Sequence, residues 1–331
     1  MARILTFNCH EGYVSLLSHL GLGLDVVDGL PGRYVSHWDE RMRPVPANTR
    51  LIALEAARGD YDAIIAHNVR DLLDVRHLDA PKILVLHVNL RARLEEEPGA
   101  PGAAAMREQL ARYLDLIRGT LVAVSEAKGR SWGLPFELVP LAVDEAHFHG
   151  HRGEQAALLR VANQIGARRR RLGADALFRA TEGLPLRVVG HNPDLPGAAP
   201  STDWHELLDL YRSHRAYVHT GAEGLEDGHN LSVLEAMCTG LPVLTTVSGE
   251  TPVIDGENGY FDADPAGLRA RARSLLEDPA LASRLGARAR ETVLERYSLR
   301  AFLEGWHRTL ERARRRWGTF REHGDPVADA G

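Results

Sequence analysis

The chain has 331 residues, of which 44% are hydrophobic and 26% charged, and its formal net charge is −5. That length exceeds the roughly 100 to 200 residues of one ordinary domain, so two domains are expected, and the composition excludes a disordered or collagen-like chain. Residues 1–150 hold 16 basic and 20 acidic side chains and residues 151–331 hold 24 and 25, so neither half has the basic excess that nucleic acid or anionic lipid calls for.

In chain order, the first half alternates short apolar runs with helical patterns, which is the signature of a parallel sheet covered by helices. Strands are expected at residues 3–7, 25–27, 63–67, 82–87, 121–124 and 136–140, with helices of 3.6-residue period at 13–20 and 106–118. Residues 95–105 join three glutamates to Pro-Gly-Ala-Pro-Gly-Ala and are expected to form a loop. No apolar run approaches the ~18 residues that span a bilayer, and the N-terminus reads as a strand, so a cytoplasmic protein is expected. Cys9 and Cys238 lack any metal-ligand spacing and read as reduced thiols.

The pattern breaks at the polar, glycine-rich stretch 148–153, which sets the expected domains at 1–152 and 153–298. Further strands are expected at 158–162, 186–189, 216–219 and 242–246, followed by a helix over 299–317 packing back toward the first domain and a flexible tail over 318–331. Asp264 reads as the N-cap of a helix beginning near Pro265 rather than as half of a metal-binding Asp-x-Asp. His147, His149 and His151 have chelate-like spacing, yet no cysteine or carboxylate cluster completes a site, and linker polarity explains them.

Residues 220–259 carry most of the chemistry. A strand ending at His219 enters an acidic glycine loop, Gly221 to Asn230, and then a helix from Leu231 to Thr239 that Gly240 terminates. A glycine loop feeding a helix N-terminus offers backbone N–H groups and the positive end of a dipole to a phosphate. The carboxylates there repel phosphate but accept hydrogen bonds from sugar hydroxyls. Both features together suit a sugar joined to a diphosphate.

The run Asp227-Gly228-His229-Asn230-Leu231-Ser232-Val233-Leu234-Glu235-Ala236-Met237 resembles the donor motif of retaining, GT-B fold glycosyltransferases of family 4: a glutamate, seven residues, then a second glutamate. Gly240-Leu241-Pro242-Val243, the stretch from Gly249 to Ile254 and Asp255-Gly256-Glu257-Asn258-Gly259 are similar too. Weaker similarity covers Ser125-Glu126, Val139-Pro140, Val143-Asp144 and the two strands ending in His67 and His87. The resemblance implies an α/β chain of two Rossmann-like, doubly wound domains facing a central cleft. It also implies transfer of a sugar from a nucleoside-diphosphate sugar to a hydroxyl acceptor by a front-face route, without metal or other cofactor. Under it, Glu235 would hold the ribose, and Asp227 and His87 would reach the donor sugar. Gly228, His229, Asn230, Leu231 and Ser232 would support the sugar and diphosphate.

Two departures bear on the site. Asp227 is one methylene shorter than the usual glutamate, so neighbouring Glu226 could substitute. Asn163 or Gln164 stands where the family's first basic residue is expected, leaving one of Arg168, Arg169, Arg170 and Arg171 as the diphosphate cation, with Arg170 assigned to catalysis and Asn163, Arg168 and Arg171 to donor binding. The acceptor is left open among a glycan, a lipid-linked group and a small molecule. An epimerase or phosphorylase on the same scaffold, and a nucleotide-sugar-binding protein without transfer activity, are the alternative functions.

Overall fold

The computed structural model describes residues 2–33, 37–97, 99–249 and 251–322. The first domain is a seven-stranded sheet with β1 at Arg3–Phe7, β2 at Gly23–Val27, β3 at Thr49–Ile52, β4 at Ala63–Ala66, β5 at Lys82–Leu86, β6 at Thr120–Ala123 and β7 at Glu137–Leu138. Its order is β3-β2-β1-β4-β5-β6-β7 and every pair is parallel. Helices α1 (Glu11–Ser18), α2 (Val69–Asp74), α3 (Leu90–Glu96), α4 (Ala103–Leu116) and α5 (Glu126–Trp132) cover it. The central strands read as continuous apolar runs because helices bury both faces, and Ile64, Ile65, Ile83 and Val122 are fully buried.

The second domain has β8 at Gln155–Val161, β9 at Leu186–Val189, β10 at His214–His219, β11 at Val243–Thr245 and β12 at Gly259–Phe261, in the parallel order β12-β11-β10-β8-β9. Its helices are α6 (Ala174–Ala180), α7 (Trp204–Ser213), α8 (Leu231–Thr239), α9 (Pro265–Glu277) and α10 (Pro279–Arg296). The last helix, α11, runs over Leu299–Glu322, beyond the expected end at Trp317. It returns to the first domain, where Thr309 donates to Glu137 at 2.7 Å and Arg314 pairs with Asp62 at 3.3 Å. Of the expected tail, residues 318–322 are helical and 323–331 lie outside the described residues.

Several expectations need correction. The loop expected over 95–105 is shorter, because α3 extends to Glu96 and α4 begins at Ala103. Asn89 caps α3 by accepting from Ala92 N, and Arg93 pairs with Glu97 one turn on, so the glutamates belong to a helix end. Strands β3 and β12 were not expected; both lie at sheet edges, where side chains need not be apolar. Asp264 caps α9 through Ala266 N at 3.1 Å, as expected. His147 and His151 do not converge, since His147 meets Asp144 and His151 meets the His214 carbonyl.

Candidate functional site

In doubly wound sheets, ligands bind beyond the carboxyl ends of the strands, where neighbouring connections leave in opposite directions. In both domains those strand ends face one cleft. They supply Asn8 to Gly12 after β1, His67 after β4, His87 after β5 and Ala162 and Asn163 after β8, around a cavity of about 340 Å³. The N-terminal turn of α8 closes the cavity from the second domain with His229, Asn230, Leu231 and Ser232. Asn230 caps that turn by accepting from Ser232 N at 3.1 Å, and Gly240, at φ 109°, ends the helix in the left-handed conformation.

The acidic loop does not present its carboxylates as the motif alone suggests. Glu226 lines the cavity, whereas Asp227 is turned against the first domain, where Ser125 and the Lys128 ammonium both donate to it. Gly228, next to it, takes φ 75° and is likewise off the cavity wall. A Cβ there would sit 2.7 Å from Thr251 Oγ1, so the turn is built for glycine. Burial alone raises the Asp227 carboxyl, but hydrogen bonding from His229 and the Lys128 charge hold it well below the usual carboxylate range. Lys128 also donates to the His229 carbonyl at 2.9 Å and lies 3.7 Å from Glu226.

Glu235 is buried on the first turns of α8. Its carboxylate accepts from Tyr211 at 2.9 Å and from Arg43 of the first domain, whose guanidinium stacks on Trp204 at 4.4 Å and Phe148 at 5.0 Å. Arg43 and Lys128 thus cross the cleft to the two acids of the motif.

Of the arginine run, Arg168 and Arg171 line the cavity. Arg171 donates to Glu96 at 2.6 Å and approaches Glu226 at 3.6 Å. Arg170 does not belong to the site: its side chain is 68% exposed against 13% for Arg171, and it meets Glu95 outside the cavity. The catalytic role expected of Arg170 does not fit this geometry, since the turn after β8 points its side chain to solvent. Asn163 lines the cavity, and its side-chain oxygen accepts from His191 N at 2.8 Å.

His67, buried, and His87, half-buried, form a pair. Thr6 donates its one hydroxyl proton to the Ile65 carbonyl at 2.9 Å, so it accepts from His67 Nε2, also at 2.9 Å. His67 thereby presents Nδ1 as a bare acceptor, 2.9 Å from His87 Nε2. Burial, then the charge of His10, lowers His67 to about 3, and burial followed by His67 and His10 lowers His87 well below its ordinary value. Both rings are neutral near pH 7.

Sequence reasoning missed Arg43, Tyr211 and Lys128. For Lys128 a signal existed: only Lys82 and Lys128 are lysines in a chain with 40 basic residues, and Lys128 follows the Ser125 cap of α5 by three positions.

Residues 168–308 match the family described as glycosyl transferase-like. Among solved structures, a sucrose-phosphate synthase from Thermosynechococcus elongatus superposes with a TM-score of 0.69 at 15% identity, covering 94% of this chain and 99% of that one. HepE from Anabaena, solved with UDP and glucose, gives 0.69 at 12% identity over 94% and 100% of the two chains. AviGT4, a glycosyltransferase of avilamycin A biosynthesis, gives 0.55 at 17% identity over 96% and 99%. No curated protein sequence matches the chain. These likenesses establish the two-domain GT-B fold.

Proposed function

We propose that this chain, a GT-B fold glycosyltransferase, moves a sugar from a nucleoside diphosphate to a hydroxyl acceptor with retention at the anomeric carbon. The observation that carries the reading is the cavity wall at α8. There Glu226, the N-terminus of α8, Glu235 and the cations Lys128 and Arg171 line one cavity, the donor and acceptor types that a sugar, a diphosphate and a ribose call for. The UDP and glucose held by HepE support a nucleotide-sugar donor.

Glu226, on the cavity wall, takes a sugar hydroxyl in place of Asp227, while Asp227 fixes Lys128 beside the diphosphate. As the glycosidic bond breaks, charge grows on the leaving phosphate, and prepositioned donors stabilise that charge without reorganising. Arg171, Lys128 and the N–H groups opening α8 supply them. The sugar passes through an oxocarbenium-like state, as in glycoside hydrolysis. The acceptor then attacks the face the phosphate is leaving, and the phosphate oxygen takes the acceptor proton. Lys128 and Arg171, each already beside a carboxylate, face the diphosphate together with the N–H groups of α8, and the proposed route uses no divalent metal. Glu235 is to bind the ribose by exchanging its bond to Arg43 for ribose hydroxyls. Donor entry is thereby coupled to release of an ion pair that spans the cleft.

The reaction is followed by NMR at the anomeric carbon, with a nucleotide-sugar and acceptor panel in EDTA. An axial donor linkage yielding an axial product in EDTA is expected; an inverted product, or activity only with metal, overturns the proposal. Donor isomerised without acceptor indicates an epimerase, dependence on inorganic phosphate a phosphorylase, and binding without turnover a sensor.

A further inference from the structure

We propose that Cys9, His67 and His87 form a binding site for a thiophilic divalent cation, Zn2+ being the reference case, and that its occupancy blocks the donor cleft. The three residues follow β1, β4 and β5, so the switch point of the first sheet brings them together although 78 positions separate Cys9 from His87 in the sequence. Their ligand atoms, the Cys9 sulfur and one ring nitrogen from each histidine, all lie within 4.8 Å of one another, and all three residues line the cavity.

The donor set fits the ion. Zinc accepts thiolate at about 2.3 Å and imidazole at about 2.0–2.1 Å, usually with tetrahedral geometry. Two histidines and a cysteine leave a fourth position, which here opens on the cavity. The two histidine nitrogens already stand 2.9 Å apart, so seating an ion between them requires a small separation of the rings and a turn of the Cys9 side chain.

The surroundings fit as well. Ligating histidines as a rule donate their other ring N–H to a neighbour, which fixes the tautomer. His67 does so without any metal: Nε2 donates to Thr6, whose hydroxyl is committed to the Ile65 carbonyl, and Nδ1 is left as a lone pair facing the cluster. Binding moves the His87 ring proton to its other nitrogen and releases the thiol proton to water. Because His87 is the residue assigned to the donor sugar, an ion held there excludes the donor. Only this inhibition rests on the proposed function.

Co2+ titration of the full chain tests the site by absorbance, independently of any activity. A thiolate-to-cobalt charge-transfer band saturating near one equivalent, displaced by Zn2+, kept in Cys238→Ser and lost in Cys9→Ser, is expected. Thr6→Val should weaken Co2+ binding by about 10- to 100-fold, in line with other substitutions behind a metal ligand. Absence of the band at millimolar Co2+, or its persistence in Cys9→Ser, overturns the site. In donor kinetics, Zn2+ should raise the donor KM of the natural chain and leave that of Cys9→Ser unchanged; equal inhibition of both overturns the blocking role while the cobalt result stands by itself.

Discussion

His67, just after β4, and Asp71, in the first turn of α2, lie four residues apart, and burial moves them in opposite directions. His67 is lowered to about 3, and His10, across the same wall, to about 4 through burial and then Arg43. Asp71 is raised to about 6, mainly by burial, although His67 N and Asn68 N donate to it. For the histidines the folded value lies below the unfolded one, so the unfolded chain binds more protons as pH drops from about 6.5 to 3 and stability falls. For Asp71 the folded value lies above the unfolded one, so its contribution grows as pH falls from about 7 to 4. Histidines outnumber it, since His87 and His219 are lowered as well. The urea midpoint should therefore drop from pH 7 to pH 4, and more steeply in Asp71→Asn, where the opposing contribution is gone. A flat profile, or a shallower one in Asp71→Asn, contradicts the assignment.

At the scale of elements, α8 and α10 pack through glycine. A Cβ on Gly286 of α10 would meet the Gly240 carbonyl oxygen at 1.9 Å, backbone that cannot step aside. Helix propensity alone predicts that Gly286→Ala stabilises by about 1 kcal/mol. Packing predicts a loss of about 1–3 kcal/mol, as overfilled cores show. Thermal unfolding separates the two: a lower midpoint supports the contact, and an equal or higher midpoint refutes it. The sequence made α8 legible through its loop, its Asn230 cap and the Gly240 stop, all local signals. It hid α3, whose end is an acidic run that reads as loop unless the Arg93–Glu97 pair is anticipated. It hid β3 too, since Thr49–Ile52 carries Arg50 outward to Asp25 and lacks the apolar run of an interior strand.

Across the whole molecule, the alternation of strands and helices was enough to show two parallel α/β domains. The cleft contacts were not legible, because Arg43 reaches Glu235 across 192 positions and Lys128 reaches Asp227 across 99, distances that no local pattern encodes. For the same reason the motif pointed to Asp227 where the folded chain puts Glu226 on the cavity wall. One apolar cluster joins Tyr13 of the first domain, Leu231 of the second and Phe302 and Trp306 of α11, so the halves are held by a shared core as well as by these ion pairs. Among the described residues no helix is long and apolar enough to cross a membrane. In the proposed function this cleft takes a nucleoside diphosphate sugar, whose ribose Glu235 holds. Thermal shift of the natural chain and of Glu235→Ala with UDP, GDP, ADP and TDP sugars reads that contact, because a ligand at 100 times its Kd stabilises by about 2.7 kcal/mol. One nucleotide class should raise the midpoint of the natural chain by several degrees and leave Glu235→Ala unmoved; no shift with any donor, or an equal shift in the variant, contradicts the account.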